Sequence, residues 1–341
     1  MKKKIIALLK YLVFVGLGIF LVWWQFHHMT ADQKTKFFLA LQQVDFLIVI
    51  PIIIMSLASH LSRALRWRIL MEPMGYKPSI LNTFGVTMVG YLVNTFVPRL
   101  GEIIKCTLLG KYENIPPQKL IGTIVVERLF DFFCYLVFIV ITVLLQYKLV
   151  GDFVSKELHE MVQNQSGLPF WGKMLIYTAI LIVLFLFFRW LFKKYKYSPL
   201  VQRIHHFLHG LQEGIASIWK LKRKGWFLFH TLFIWSMYLL QIYIGFMAIK
   251  EISHLGINAA FSVLTLATLA MIVTPGGLGT FPTAVFLVLK LYEVEESFGE
   301  AFGWLVWGTN TVIVLVTGIF FAILLMYKNK HKIRKTGTST Q

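Results

Sequence analysis

The chain has 341 residues, of which 57% are hydrophobic and 15% charged, and its mean hydropathy is +0.68. An average soluble domain is roughly 45–50% apolar and about 25% charged, so this composition excludes an ordinary soluble domain and describes a polytopic membrane protein. A net charge of +18 would point to nucleic acid in a soluble chain, but Lys and Arg of a membrane protein collect in cytoplasmic loops, and no nucleic-acid partner is needed to explain it.

The N-terminus, Met1-Lys2-Lys3-Lys4, precedes an apolar run from Ile5 to Phe26. That run is too long for a signal peptide's core and lacks a small-residue cleavage site after it, so a retained first helix is expected. Five more runs are long enough for the ~30 Å hydrocarbon core: Phe46 to Ser62, Phe130 to Gln146 with a start as early as Leu120, Met174 to Leu191, Trp226 to Ala248, and Phe302 to Tyr327. Two further apolar regions are interrupted. Ile80 to Leu109 contains Pro98, Arg99, Gly101 and Glu102, and Ile257 to Leu291 contains Thr274-Pro275-Gly276-Gly277-Leu278-Gly279-Thr280-Phe281-Pro282. Irregular backbone at membrane depth survives only where protein or a water-filled cavity satisfies it, so both are expected as broken or re-entrant hairpins. The expected fold is therefore an all-α polytopic membrane protein of six full spans plus two hairpins, or eight spans by hydropathy alone.

With both termini cytoplasmic, 27 of the 34 Lys and Arg fall on the inside. This asymmetry fixes orientation and is indifferent to whether the hairpins cross fully. The first interrupted segment then opens from the cytoplasm and the second from outside, the pattern of an inverted repeat around a central site. Residues 199–224 place Leu200, Ile204, Phe207, Leu208, Leu211, Ile215 and Ile218 at helical spacing, as in an amphipathic helix on the cytoplasmic leaflet with Lys222-Arg223-Lys224 against headgroups. His205 and His209 share a face there without a carboxylate or cysteine to complete a metal site. The loop from Tyr147 to Lys173 is short and mixed in charge, and residues 1–341 read as one membrane domain without room for a soluble catalytic one. Cys106 and Cys134 lie in apolar sequence without metal or disulfide spacing. No cofactor and no metal are expected.

Charge inside lipid-length sequence is costly and therefore usually paired or functional. Arg63 and Arg66, at i,i+3 beside Trp67 and Arg68, share a helix face from which two guanidinium forks could clamp one phosphate, or anchor the helix at the interface. Arg99 and Glu102 share the same spacing and are expected to pair, while Asn94 could satisfy carbonyls freed by the Pro98–Gly101 turn or donate to a lipid phosphate. Glu127 and Asp131 are one helical turn apart with Arg128 beside Asp131. One carboxylate must be neutralised by Arg128 or Arg99, or hold a proton, and the cluster is buried only if its helix begins near Leu120. Thr274, Gly276, Gly277 and Gly279 offer bare backbone and hydroxyl groups to a ligand or form a packing hinge, and match neither a P-loop nor a dinucleotide fingerprint. Asn310 is expected to bond a neighbouring helix.

In this order, Arg63-x-x-Arg66-Trp67, Asn94-x-x-x-Pro98-Arg99-x-Gly101-Glu102, Glu127-Arg128-x-x-Asp131 and Pro275-Gly276-Gly277-Leu278-Gly279-Thr280 resemble the lysylphosphatidylglycerol synthase transmembrane-domain family, flippase-like integral membrane proteins of uncharacterised family 0104. The resemblance covers nearly the whole chain. It implies a membrane unit that moves a phospholipid between leaflets of the plasma (inner) membrane while a separate enzyme makes that lipid. The synthase domain of the bifunctional members is absent from these 341 residues, so lysyl transfer is not implied. Pro282 stands where the family is expected often to carry an acidic residue, which puts a charged role there in doubt. The expectation is a translocase-like carrier for an anionic, aminoacylated or polyprenyl-linked lipid, not an enzyme, using Arg63, Arg66, Asn94, Arg99, Glu102, Glu127, Arg128, Asp131, Thr274, Gly276, Gly277 and Gly279. A membrane-embedded lipid-modifying transferase and a non-transporting scaffold are the alternatives.

Overall fold

A computed structural model describes residues 2–146 and 221–330, with side chains from residue 15 onward. Among the described residues there is no strand, and ten α-helices follow in order: α1 (Lys2–His28), α2 (Ala31–Gln42), α3 (Phe46–Met71), α4 (Ile80–Phe96), α5 (Leu100–Glu113), α6 (Pro117–Leu145), α7 (Lys224–Phe246), α8 (Ile257–Ala270), α9 (Thr280–Lys290) and α10 (Glu296–Lys328). Apart from the last turn of α6, which runs beyond Thr142, they belong to one compact unit. The expected span Met174–Leu191, the loop Tyr147–Lys173, residues 199–220 of the expected amphipathic helix with His205 and His209, and the C-terminal tail lie outside the described residues.

Four helices, α3 (with its short 3-10 extension to Met74), α6, α7 and α10, are long and apolar enough to cross a membrane. Their outer faces are apolar, and polar groups are buried among the apolar core residues. Ile54, Leu232, Val316 and Ile323 are exposed, whereas Ser56, Ser59, Arg66 and Glu127 are buried. Contiguous exposed apolar surface on this scale is stable in lipid and not in water. Local chemistry sets the ends. Asp45 caps α3 by accepting from Leu47 N at 2.9 Å, and Ser79 caps α4 by accepting from Asn82 N at 3.2 Å.

Three boundaries differ from the sequence reading, each for a local reason. α3 runs past Ser62 to Met71, because Arg63, Arg66 and Trp67 are buried rather than interfacial. α6 starts at Pro117, a residue suited to the first helical turn, which places Glu127 ten residues, or about 15 Å, along the helix. Residues Ala31–Gln42 form a helix that hydropathy misses, nucleated by a capping box: Thr30 Oγ1 accepts from Gln33 N at 3.2 Å and Gln33 Oε1 accepts from Thr30 N at 2.8 Å.

Both interrupted segments are helical hairpins. At 1.5 Å per residue, α4 and α5 span about 25 Å and 21 Å, and α8 and α9 about 21 Å and 16 Å, all short of the ~30 Å core. The first turn holds Arg99 at φ 69°, and Asn94 Oδ1 accepts from Gly101 N at 2.8 Å across it. Asn94 thus satisfies an amide, not the carbonyls expected from the sequence. Gly101 lies flat against α4, where a Cβ would collide with the Gly90 carbonyl oxygen. The second turn puts Gly276, Gly277 and Gly279 at positive φ, a conformation glycine adopts without strain. Thr274 Oγ1 donates to Leu278 O at 2.9 Å and Thr280 Oγ1 donates to Ala270 O at 2.9 Å, so the hydroxyls satisfy carbonyls that the broken helix frees. The two turns meet, because a Cβ on Gly276 would lie 3.3 Å from Thr95 O.

Gly101→Ala should push α5 off α4 and lower stability by about 1–3 kcal/mol, the usual effect of overpacking. Gly122→Ala, with nothing within 4 Å of a new Cβ, should not. Thermal unfolding of the two variants in detergent compares them directly.

Candidate functional site

Polar groups from five helices converge between α3 and α6, most of them buried or half-buried. α3 supplies Arg63 and Arg66 one turn apart, α6 supplies Glu127, Arg128 and Asp131, α5 supplies Glu102 and Lys105, α4 supplies Asn94, and α7 supplies Thr231 and Tyr238. Arg63 Nη1 lies 2.7 Å from Asp131 Oδ2 and 3.7 Å from Glu127 Oε1. Arg66 Nη2 lies 2.6 Å from Asp131 Oδ1 and 3.1 Å from Glu127 Oε1. The other amino groups donate to α7, Arg63 Nη2 to Tyr238 Oη at 3.2 Å and Arg66 Nη1 to Thr231 Oγ1 at 3.1 Å. Lys105 Nζ reaches Glu102 Oε2 at 3.3 Å and Glu127 Oε2 at 3.8 Å, and sits 4.6 Å from the ring centroid of Trp67. Trp67 is itself fixed by donating from Nε1 to Thr123 Oγ1 at 2.8 Å. Arg128 closes the network on Glu102, which Asn94 Nδ2 also approaches at 3.5 Å.

Four cations face three carboxylates, leaving one positive charge in excess. Arg66 and Glu127 are almost completely buried, while the Arg128 side chain is 48% exposed. The network therefore has a sealed floor and one cation open to an incoming group.

Three sequence expectations are corrected here. Arg63 and Arg66 are not an open phosphate clamp, because burial commits both guanidinium forks to Glu127 and Asp131. Arg99 does not pair with Glu102; it is exposed at the hairpin turn, and Glu102 is held by Arg128 and Lys105. Glu127 and Asp131 are neutralised by Arg63 and Arg66 and not by Arg128 or Arg99, and Arg128 instead holds Glu102. Thr274, Gly276, Gly277 and Gly279 lie outside the ion network and build the second hairpin turn, where Trp307 Nε1 donates to Gly276 O at 2.9 Å. Asn310, as expected, reaches another helix, accepting from Ser56 Oγ at 3.3 Å. Lys105 was missed, although Glu102-x-x-Lys105 repeats the i,i+3 spacing used for other pairs. Thr231 and Tyr238 carry no sequence signal, since only the packing of α7 on α3 brings them in.

A second polar feature adjoins the same ends of α3 and α7. A groove of about 390 Å³ is lined by Arg68, Glu72, Lys77, Arg223, Trp226 and His230 together with Leu65 and Ile69. Arg223 pairs with Glu72 at 3.1 Å and Arg68 Nε donates to Pro78 O at 2.8 Å, so this groove also has more positive than negative charge.

Burying ions is expensive, and a buried pair repays that cost only while every member is present. Arg66→Met should cost about 3–5 kcal/mol by leaving Glu127 and Asp131 to share Arg63, whereas Arg66→Met combined with Asp131→Leu should recover most of the loss. Unfolding midpoints of the single and double variants measure the difference.

Comparison with known proteins follows the same lines. The chain matches the family described as the lysylphosphatidylglycerol synthase TM region over residues 8–329. It is similar to a UPF0104 membrane protein of Methanocaldococcus jannaschii, with 24% identity over 270 residues, 74% of this chain and 77% of that protein. A second UPF0104 membrane protein of that organism is 25% identical over 236 residues, covering 68% of this chain and 90% of its own length. One from Methanothermobacter thermautotrophicus is 22% identical over 290 residues, covering 77% and 80%. No solved structure matches the chain at a significant level. With its membrane helices and a match from residue 8 to residue 329, the chain belongs to the family of the lysylphosphatidylglycerol synthase TM region.

Proposed function

We propose that the protein carries the phosphate headgroup of an anionic phospholipid between leaflets, without chemistry of its own. The observation behind this reading is the ion network at the first hairpin: buried in an apolar bundle, positive by one charge, and open at Arg128. A lipid phosphate supplies the missing negative charge, competing with Glu102 for the exposed guanidinium, which suits phosphate through its planar fork. The basic groove at Arg68, Lys77 and Arg223 would hold headgroups at the same face, and Trp226 has the amphipathic ring favoured at a membrane interface.

Topology follows the charge asymmetry, with both termini and the groove on the cytoplasmic side of the inner membrane, six full spans and two re-entrant hairpins. The hairpin lengths and the meeting of their turns at Thr95 and Gly276 support this layout. Arg99 then projects at the inner end of the first hairpin, the next cation along the path. The carboxylates are unsuited to catalysis as free bases, since Glu102, Glu127 and Asp131 each face two or more cations. This favours a carrier over a transferase, and a separate enzyme would make any aminoacylated lipid it moves. The family's description, naming a lysylphosphatidylglycerol synthase, supports a lipid cargo of that kind.

Arg99→Gly provides the test, because glycine accepts φ 69° without penalty and should not lower the thermal midpoint while it removes the charge. In reconstituted vesicles with headgroup-labelled phosphatidylglycerol, its aminoacylated form, or phosphatidylcholine, wild type should move the first two faster than protein-free vesicles do. Arg99→Gly and Arg128→Gln should each lose about tenfold, equivalent to about 1.4 kcal/mol. Equal rates for wild type, variants and empty vesicles would remove the proposal.

A further inference from the structure

At the other end of α10 from the cluster that packs Leu325 on Trp67, a second buried carboxylate stands without a cation. Glu300 is 3% exposed, and its Oε2 has no hydrogen-bond partner. Among the described residues no Lys, Arg or His nitrogen lies within ion-pair distance of it. It lines a cavity of about 30 Å³ together with Trp24, Gln25, His28, Met29, Gln33 and Glu296. This space suits one water-sized occupant.

Gln25 makes the cavity a site. It is 2% exposed, and its amide orientation is set by a hydrogen-bond chain. Thr283 Oγ1 gives its hydrogen to Gly279 O at 2.7 Å, so at 3.0 Å from Gln25 it can only accept, and the nitrogen Nε2 must face it. Gln25 Oε1 is then left as an acceptor, also without a partner. Two buried acceptor oxygens therefore line one small cavity, and neither receives a hydrogen bond. Ser297, one turn before Glu300, is fully buried with an unpartnered Oγ as well.

The surrounding charged groups are engaged elsewhere. His28 Nδ1 donates to Trp24 O at 2.9 Å, Glu296 accepts from Gln33 Nε2 at 3.2 Å, and Lys36 is shared between Glu295 at 2.8 Å and Asp32 at 3.1 Å. Hydrogen bonds to Glu295 and Asp32 raise the pKa of Lys36, which keeps its charge on those partners. The described residues contain no group of three or more His, Cys, Asp or Glu of the kind that holds a divalent metal, and one buried carboxylate balances one positive charge.

We propose that Glu300 and Gln25 bind one small monovalent cation, a proton or a sodium ion, in this cavity. A proton on Glu300 would be donated to Gln25 Oε1 or to a bridging water; a sodium ion would take both oxygens as ligands. Either occupant acts on the second hairpin, because Gln25 is tied through Thr283 to Gly279 at its turn. The inference is independent of the lipid reading and supplies that reading with a coupling ion.

Infrared difference spectroscopy of the purified full chain reads occupancy without any transport assay. Acidification should produce the carbonyl band of a protonated carboxyl if the ion is a proton. Exchange of choline chloride for sodium chloride at constant ionic strength should shift a carboxylate band if it is sodium. Whichever signal appears should vanish in Glu300→Gln and persist in Glu296→Gln, whose carboxylate is exposed at the rim. Gln25→Leu leaves Glu300 in place and should shift the frequency of the same signal, which serves if Glu300→Gln does not fold. A signal that Glu300→Gln retains, no signal under either exchange, or a signal unmoved by Gln25→Leu would overturn the site.

Discussion

The mutual compensation of Arg63 and Arg66 with Glu127 and Asp131 is the constraint on which the described bundle depends. Each of these ions would be prohibitively costly alone in an apolar interior, and together they lock α3 to α6 at a single register. The spare guanidinium donors then reach Tyr238 and Thr231, so α7 is positioned by groups left over from the same two arginines. Lys105 joins α5 to Glu127 and to the Trp67 ring, which draws the first hairpin against this core. An apolar set of the same volume is often equally stable, and the proposed lipid site gives these ions a use beyond stability.

That use follows from imbalance. A neutral network would be a structural staple, whereas four cations against three carboxylates leave an anion-sized deficit whose accessible member is Arg128. The glycine-bearing turn of the second hairpin lies against Thr95 near the end of α4, and Asn94 one residue earlier touches both Gly101 and Glu102. A continuous run of contacts therefore joins the second hairpin turn to the partner of the exposed cation. Glu300 and Gln25 lie beside the second hairpin, tied to it through Thr283, and the cation proposed for them is opposite in sign to the lipid phosphate.

Much of this was legible in the sequence. Lipid-length apolar runs gave the long helices, and Pro98-Arg99-Leu100-Gly101 and Pro275-Gly276-Gly277 marked both turns, because helix breakers and glycines have few other uses there. The i,i+3 and i,i+4 spacing singled out Arg63 with Arg66 and Glu127 with Asp131 as two separate groups. Their partners were not legible, since spacing along one helix says nothing about which helix lies opposite. Arg128 or Arg99 was therefore expected to neutralise one of Glu127 and Asp131, when Arg63 and Arg66 from α3 do so and Arg128 takes a carboxylate on α5. Glu300 and Gln25 were also passed over, because a single carboxylate near the start of a helix resembles ordinary N-terminal acidity until burial is known. The helix at Ala31–Gln42 was announced only by Thr30-x-x-Gln33, a signal that hydropathy does not register.

The central claim is that a lipid phosphate completes the network at Arg128. Phosphorus-to-nitrogen dipolar recoupling by solid-state NMR, on the nitrogen-labelled full chain in phosphatidylglycerol vesicles, measures that contact directly. The account predicts a coupling between the lipid phosphate and an arginine side chain that disappears in Arg128→Gln. Couplings to Arg68 and Arg223 of the groove are expected in both proteins; a set of phosphate couplings unchanged by this substitution, or none in the wild type, would contradict it.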